Sequence, residues 1–414
     1  MAEVQLTPLL RFPEFENNWE TLTLEKMSSR IGDGIHGTPQ YDEEGAYFFV
    51  NGNNLSNGRI EITETTKKVS EEEQQKHYRE LNDRTILMSI NGTIGNLAYY
   101  NNEPVMLGKS AAYINLLPDF EISYVFNYLS TRKIQAFFHS ELTGSTIKNL
   151  SLRTIRETKL HLPTDTPEQQ KIASFLTAVD ARIQLLQKKK AKLEEYKKGV
   201  MQKLFSQEIR FKNENGNDFP DWEEKRLGEI GATFNGLTGK TKDDFGEGKP
   251  YVQYMQIFSN SKIIIEDFGL VKIDEGENQS KVQYGDVFFT TSSETPNEIG
   301  TASVMLDEIG DVFLNSFCFG FRPNSLSELV PYFSRYLFRS ALFRREIIKL
   351  AQGSTRFNMS KVELMKLKVF LPREKEQIKI AEFLTSLDDS IESIENEIDA
   401  SMEYKKGLLQ KMFV

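Results

Sequence analysis

Apolar positions along this chain follow two rhythms. In one, they recur at alternating steps of four and three: Ile172, Leu176, Val179, Ile183, Leu186, Lys190, Leu193, Lys197, Val200 and Leu204. A second run reads Ile380, Leu384, Leu387, Ile391, Ile394, Ile398, Ser401, Lys405, Leu408 and Met412. Eight of ten positions are apolar in each run, the pattern of a coiled-coil seam held for about five heptads. Thr166-Pro167 ahead of the first run suits a helix start, with Thr as cap and Pro at the first helical position. At a rise of 1.5 Å per residue, roughly 38 residues make a rod of about 57 Å.

The second rhythm is shorter. RTILMSI (84–90), AAYINLL (111–117), YVQYMQIF (251–258) and DVFFTTS (286–292) are apolar or alternating and rich in β-branched and aromatic residues. Asn-Gly, Ser-Asn and Gly-Asp pairs bound them, as strands are bounded by turns. A helical stretch precedes each rod, at 122–140 and 329–351. The expected fold is α+β, with mixed α/β bodies built on a twisted, largely antiparallel sheet.

These patterns occur twice because the chain is a duplication. EYKKGVMQKLF (195–205) returns as EYKKGLLQKMF (403–413), with eight of eleven letters identical and each change apolar for apolar. EQQKIASFLTAVDARI (168–183) matches EQIKIAEFLTSLDDSI (376–391) at the same offset of 208. TGSTIKNLS (143–151) matches QGSTRFNMS (352–360), and Trp19 and Leu24 face Trp222 and Leu227. At that offset of 203, FFVNGNNLSNGRI (48–60) falls on YVQYMQIFSNSKI (251–263). Each unit of roughly 205 residues has a variable body and a well-matched tail.

Charge indicates what each rod pairs with. Residues 168–205 hold nine Lys/Arg against four Asp/Glu, and residues 376–413 hold four against nine. Opposite flanking charge selects partners in coiled coils, so the rods are expected to pair with each other. A pseudo-twofold axis relating the copies makes that pair antiparallel. The chain as a whole, 414 residues at net charge −9, is 39% hydrophobic and 27% charged, a globular composition. Overall acidity does not exclude a nucleic-acid partner, because basic footprints are local. The single cysteine, Cys318, excludes an intrachain disulfide and suits a reducing compartment; its phenylalanine flanks suggest a buried thiol. MAEVQLTPLLRFPEF lacks the apolar run of a signal sequence, and nothing approaches a membrane span, so a cytoplasmic location is expected.

Catalytic chemistry is not evident. FNGLTGKT (234–241) ends like a phosphate-binding loop but has Phe234 where the first glycine belongs. Glu157-Thr158-Lys159 has no counterpart in the second copy, which weakens a nuclease reading. The four histidines, at 36, 77, 139 and 161, have no partners at metal-ligand spacing. No catalytic or metal-binding residue is therefore assigned.

Binding chemistry is more visible. Residues 131–160 carry six basic residues against two acidic, and 335–369 carry nine against two. Both stretches hold the Gly-Ser-Thr turn, giving Ser145, Thr146, Lys148 and Asn149 in one copy and Ser354, Thr355, Arg356 and Asn358 in the other. Such side chains neutralise phosphates and reach base edges. The glycine-rich loop GDGIHGTPQ offers His36, Gly37 and Thr38; NGNNLSNGR and SINGTIGN offer Asn51, Asn53, Asn54, Asn91 and Thr93. If recognition loops occupy equivalent places in both copies, the second contributes Thr238, Lys240, Thr241, Tyr254, Gln256, Ser292, Ser293 and Thr295. Each of these readings competes with a solvated basic helix face or a purely structural loop.

This organisation resembles the specificity (S) subunit of bacterial type I restriction-modification systems. The resemblance rests on the duplication, on LPTDTPEQQKIASFLTAVDARI…YKKGVMQKLF with its second copy, and on NGTIGN, GST and LRFPEF. It covers essentially the whole chain. It implies a target-recognition domain at 1–161, a helical spacer at 162–206, a second recognition domain at 207–370 and a second spacer at 371–414. It further implies a non-catalytic subunit whose recognition domains each read half of a split double-stranded DNA target. Two methylation subunits, and two restriction subunits in the full complex, would be its partners. It implies no cofactor in this chain; S-adenosylmethionine, and ATP with Mg²⁺, would belong to those partners. A phrase that must look the same twice suits two identical partners, so Tyr196, Lys197, Gln202, Tyr404, Lys405 and Gln410 are expected in docking and rod packing. Ile172, Leu176, Val179, Ile183, Ile380, Leu384, Leu387 and Ile391 are expected in the rod seam. The competing classes are a duplicated scaffold that binds no DNA and a self-contained nuclease.

Overall fold

The computed structural model describes residues 7–144 and 148–414. The chain forms two compact units: residues up to 187 together with 396–414, and residues 188–395. Each long helix divides between the units.

In the first unit, strands Ser28–Asp33, Ala111–Leu116, Thr85–Ser89 and Leu97–Tyr99 form an antiparallel sheet in that order. The two central strands are buried at every residue, which explains why TILMS and AAYINL read as continuous apolar runs. A three-stranded sheet orders Lys68–Val69, Tyr47–Val50 and Val105–Leu107, the last pair being parallel. Trp19–Thr23 pairs with Lys159–Pro163, the strand that leads into the first long helix.

The second unit repeats this plan. Its four-stranded sheet runs Gly231–Asn235, Cys318–Pro323, Val287–Thr290, Ala302–Val304, and its three-stranded sheet Gly269–Val271, Phe245–Val252, Phe313–Leu314. Glu223–Arg226 pairs with Lys368–Leu371, ahead of the second long helix. Three expectations need correction. YVQYMQIF is not one strand: the strand ends at Val252 and a helix, Tyr254–Ser259, begins. Val50 and Val252 stand in the same place, each accepting from the backbone beyond the adjacent parallel strand, so the pairing at an offset of 203 is one residue out there. The helical stretches before the rods each break in two. Thr131 caps Arg132–Ser140 by accepting from Ile134 N, and Ser340 caps Ala341–Ile348 by accepting from Phe343 N.

The long helices run Thr166–Phe205 and Glu374–Met412. In the first unit Asp180 meets Lys405 at 2.7 Å and Arg182 meets Glu397 at 2.6 Å. In the second, Lys190 meets Glu395 at 2.8 Å and Lys197 pairs with Asp388. Partner numbers fall as residue numbers rise, which is the mark of antiparallel helices. The first unit's core takes Ile172 and Leu176 from one helix and Leu408, Met412 and Phe413 from the other. The second takes Leu204 and Phe205, then Ile380 and Leu384. Each such buried side chain contributes about 1.5–3 kcal/mol. Val179, Leu387 and Ile391 are half-buried and Ile183 is buried. The lysines that interrupt the seam keep their stems in it and reach carboxylates: Lys197 reaches Asp388 and Lys405 reaches Asp180.

A buried polar cluster fixes the entry to each helix, and it went unread in the sequence. Glu168 is fully buried and accepts from Arg11 Nε at 2.7 Å, Arg11 Nη2 at 2.8 Å and Trp19 Nε1 at 3.3 Å. Glu376, equally buried, accepts from Arg210 Nε at 3.1 Å, Arg210 Nη2 at 2.8 Å and Trp222 Nε1 at 3.2 Å. The neighbouring glutamines act in parallel: Gln169 accepts from Glu121 N and Gln377 from Val330 N, tying each rod to the helix packed beside it. The signal was present as two Arg-Phe…Trp…Glu-Gln sets, but contacts separated by about 150 residues leave no local periodicity.

Candidate nucleic-acid interface

The polar loops singled out in the sequence lie where strands of the two sheets end. In the first unit Gly34 and Ile35 cross the backbone of Leu107, and His36, Gly37 and Thr38 follow on an exposed loop. His36 Nε2 lies 2.9 Å from Asp33 Oδ2. In the second unit Gly236 and Leu237 cross Asn315 and Leu314 in the same way, so Thr238, Gly239 and Lys240 are structural counterparts of that loop. Their chemistry differs. Lys240 is not a free cation: its side chain is 5% exposed and its ammonium lies 2.6 Å from Glu277, which holds that carboxyl down at about 2. Thr238 donates to Gln279 Oε1 and Thr241 donates to Asp244, so both hydroxyls already have protein partners. The dense carboxylates nearby, invisible to a motif reading, close this loop on itself.

Asn51 and Asn54 also turn inward. Asn51 Oδ1 accepts from Ser110 Oγ at 2.9 Å, and Ser110 Oγ accepts from Gly52 N at 2.8 Å. Asn54 Oδ1 accepts from Asn51 N, and its amide donates to Glu61 O at 3.2 Å. Asn53 and Thr93 are exposed, and Thr93 Oγ1 donates to Gly52 O at 3.2 Å. Asn91 bridges Asn149 across antiparallel backbone, which joins the NGTIGN loop to the Gly-Ser-Thr hairpin. Lys148 is exposed beside it; Ser145 and Thr146 lie outside the described residues. The Asn91 amide oxygen is buried without a partner among the described residues, as is that of Gln256 in the second unit.

The second unit gathers more of the expected residues into one surface. Ser292–Ser293 pairs with Phe357–Asn358, so the strand after Val287–Thr290 carries the Gly-Ser-Thr hairpin. Tyr254 donates to Ser292 O at 3.0 Å, Arg356 Nη2 to Ser292 Oγ at 3.3 Å and Ser293 Oγ to Thr295 O at 2.6 Å. Ser354, Thr355, Arg356, Asn358 and Thr295 are exposed, whereas Ser292, Ser293 and Gln256 are buried. Two residues that sequence reasoning missed join them. Phe317, 57% exposed, lies under the Arg356 guanidinium, and Lys361 donates to Asn235 Oδ1.

The basic stretch 335–369 is only partly a surface. Arg335 pairs with Asp388 at 2.9 Å, Arg339 donates to the carbonyls of Ile257, Phe258, Asn260 and Ala302, and Arg344 to those of Asn297, Ile299 and Gly300. Burial, with Arg344 and Arg335 adding like charge, pulls the Arg339 guanidinium down to about 10. These arginines staple the body from within. Exposed charge lies instead with Arg345, Lys349, Arg356, Lys366 and Lys368.

On the rods, Tyr196 and Tyr404 are 53% and 57% exposed, and Gln202 and Gln410 are also outward. Lys197 and Lys405 face the partner helix. Among the described residues no group of three or more His, Cys, Asp and Glu could hold a metal ion, and no helix is long and apolar enough to cross a membrane.

Comparison with known proteins agrees with this architecture. The model of the type I restriction modification DNA specificity domain matches twice, over residues 16–195 and 220–403. The type I restriction enzyme MjaVIII specificity subunit of Methanocaldococcus jannaschii is 25% identical over 97% of this chain and 92% of its own length. A putative MjaX specificity subunit of the same organism is 29% identical over 50% of this chain, and the match spans 49% of that relative. In fold, the chain is similar to the crystal structure of a type I restriction-modification S subunit from M. genitalium, with a TM-score of 0.57, 16% identity and 99% of each chain covered. The chain belongs to the type I restriction-modification DNA specificity family and carries two such domains in tandem.

Proposed function

We propose that this chain is the DNA-reading subunit of a type I restriction-modification complex. Each unit reads one half of a split, asymmetric target, and the paired helices set the unread gap between the halves. The observation that carries this reading is a contrast within the duplication. Both units build the same sheets, the same Glu-Arg-Trp cluster and the same Lys-Asp helix pair. At the strand ends, however, the residues differ: His36-Gly37-Thr38 on an exposed loop against Thr238-Gly239-Lys240 closed on Glu277 and Gln279, and Ser110 bonded to Asn51 against the exposed Phe317. Frameworks that repeat suit partners that repeat; loops that differ suit different base sequences. The exposed Tyr196 and Tyr404 surfaces then dock two methylation subunits, which carry S-adenosylmethionine and modify adenine. Restriction subunits, with ATP and Mg²⁺, join in the full complex. No catalytic step falls to this chain.

Methylome sequencing of cells expressing the chain with its cognate methylation subunits tests this directly. A new two-part adenine motif is expected; its absence refutes the proposal. Exchanging residues 218–370 for those of a relative is expected to change one half of the motif alone. Inserting helical turns into both rods is expected to lengthen the gap while leaving the read bases unchanged.

A further inference from the structure

Phe317 and Arg356 form a pair that the first unit lacks. The Phe317 backbone is pinned on both sides: its amide donates to Asn315 Oδ1 at 2.8 Å, and its carbonyl accepts from Thr291 N at 3.0 Å and Thr291 Oγ1 at 2.7 Å. Its ring nevertheless stands in solvent. Arg356 comes from the hairpin that Gln352 and Asn358 close with two backbone bonds of 3.0 and 2.8 Å. That turn needs glycine at 353, where φ is +128° and a Cβ would lie 2.2 Å from the Arg356 carbonyl. The Arg356 guanidinium lies 6.0 Å from the Phe317 ring centroid and donates from Nη2 to Ser292 Oγ at 3.3 Å. Among the described residues no carboxylate pairs with it; its hydrogen-bond partner is the Ser292 hydroxyl.

An exposed arginine usually swings through many rotamers. Here the ring lies against the guanidinium and the serine takes one Nη2 hydrogen, which leaves Nε, Nη1 and the second Nη2 hydrogen without protein acceptors among the described residues. A planar fork held in this way matches the two acceptors, O6 and N7, that guanine presents in the major groove. Phosphate offers acceptors too, but every duplex offers them, and a phosphate contact would serve both units alike. The shared letters of the hairpin are Gly-Ser-Thr and Asn; at the Arg356 position the first copy has Ile147. At the Phe317 position it has Ser110, whose hydroxyl is closed into a bond with Asn51. The position varies where the framework does not.

Resting on the reading proposed above, we infer that Arg356 reads a guanine in the half-target of the second unit and that Phe317 is the positioning residue that orients it. The test is selection from a randomised duplex pool by the full chain with its methylation subunits, followed by sequencing. The wild type is expected to enrich a two-part motif with a guanine in the half that residues 218–370 control. R356Q and R356K are each expected to lose about ten- to a hundredfold of discrimination at that one base pair, the other positions staying intact. R356K keeps the charge, so its salt dependence should stay at the wild-type slope. F317A is expected to relax the same position by less. The inference is overturned if both Arg356 variants select the wild-type motif. It is equally overturned if R356Q weakens every position uniformly while R356K restores binding, since that is a phosphate contact. If the wild type enriches no motif, the reading of the chain as a DNA-specificity subunit fails, and this inference with it.

Discussion

Replacing Glu376 with glutamine keeps the size and removes the charge at a site that is completely buried. Three donors lose a carboxylate: two nitrogens of Arg210 and the indole of Trp222. Hydrogen bonds to a charged group contribute about 1.5–3 kcal/mol each, and breaking a buried ion pair costs about 3–5 kcal/mol. The Arg210 side chain is 20% exposed, so part of its charge regains water and the lower end applies. Glutamine also keeps one oxygen as an acceptor. We expect the second unit to lose about 3 kcal/mol, which is roughly a hundredfold in local opening. Hydrogen exchange followed by mass spectrometry on residues 223–226 and 374–384 reads this opening, because amides of a cooperative unit report its stability. The first unit, with Glu168 untouched, serves as the control in the same sample, and E168Q should give the mirror result. A change below tenfold in the second unit, or equal changes in both units, would refute the claim that this cluster anchors one helix entry independently.

Asp388 accepts from Lys197, Arg335 and Tyr336, so D388N should destabilise the second unit by about 2–4 kcal/mol, whereas K197M, which leaves Arg335 in place, should cost about 1 kcal/mol; exchange protection of residues 331–337 measures both. Glu277 is held down at about 2 by Lys240, with Gln279 and the Asp274 amide assisting. Its folded value lies below the unfolded carboxylate value of about 4.3, so this contribution is present above pH 4.3 and fades as pH falls toward 2. A carboxyl NMR titration with a midpoint near 4.3 would contradict that pairing. Burial pushes the Cys318 thiol well up, so alkylation of the native chain should wait for unfolding; rapid reaction with iodoacetamide at pH 8 would show an accessible thiolate instead.

The sequence by itself determined the duplication, the two long helices and their pairing, because those follow from periodicity and charge, which are local or repeated features; the ion pairs of the folded chain show that the pair is antiparallel. Ile172, Leu176, Ile380 and Leu384 could be placed in a seam from spacing alone, and the central strands from TILMS and AAYINL. Tertiary structure decided which polar residues remain available. Asn51, Lys240, Arg339 and Arg344 all read as contact residues or basic surface, yet each is held by a partner from another element. Phe317 carried no signal as the neighbour of Cys318, and became a surface residue only when its backbone was fixed by Asn315 and Thr291. The physical reason is the same in each case. A side chain's burial pattern is written in its near neighbours along the chain, but its hydrogen-bond partner is chosen among residues that only folding brings within 3 Å.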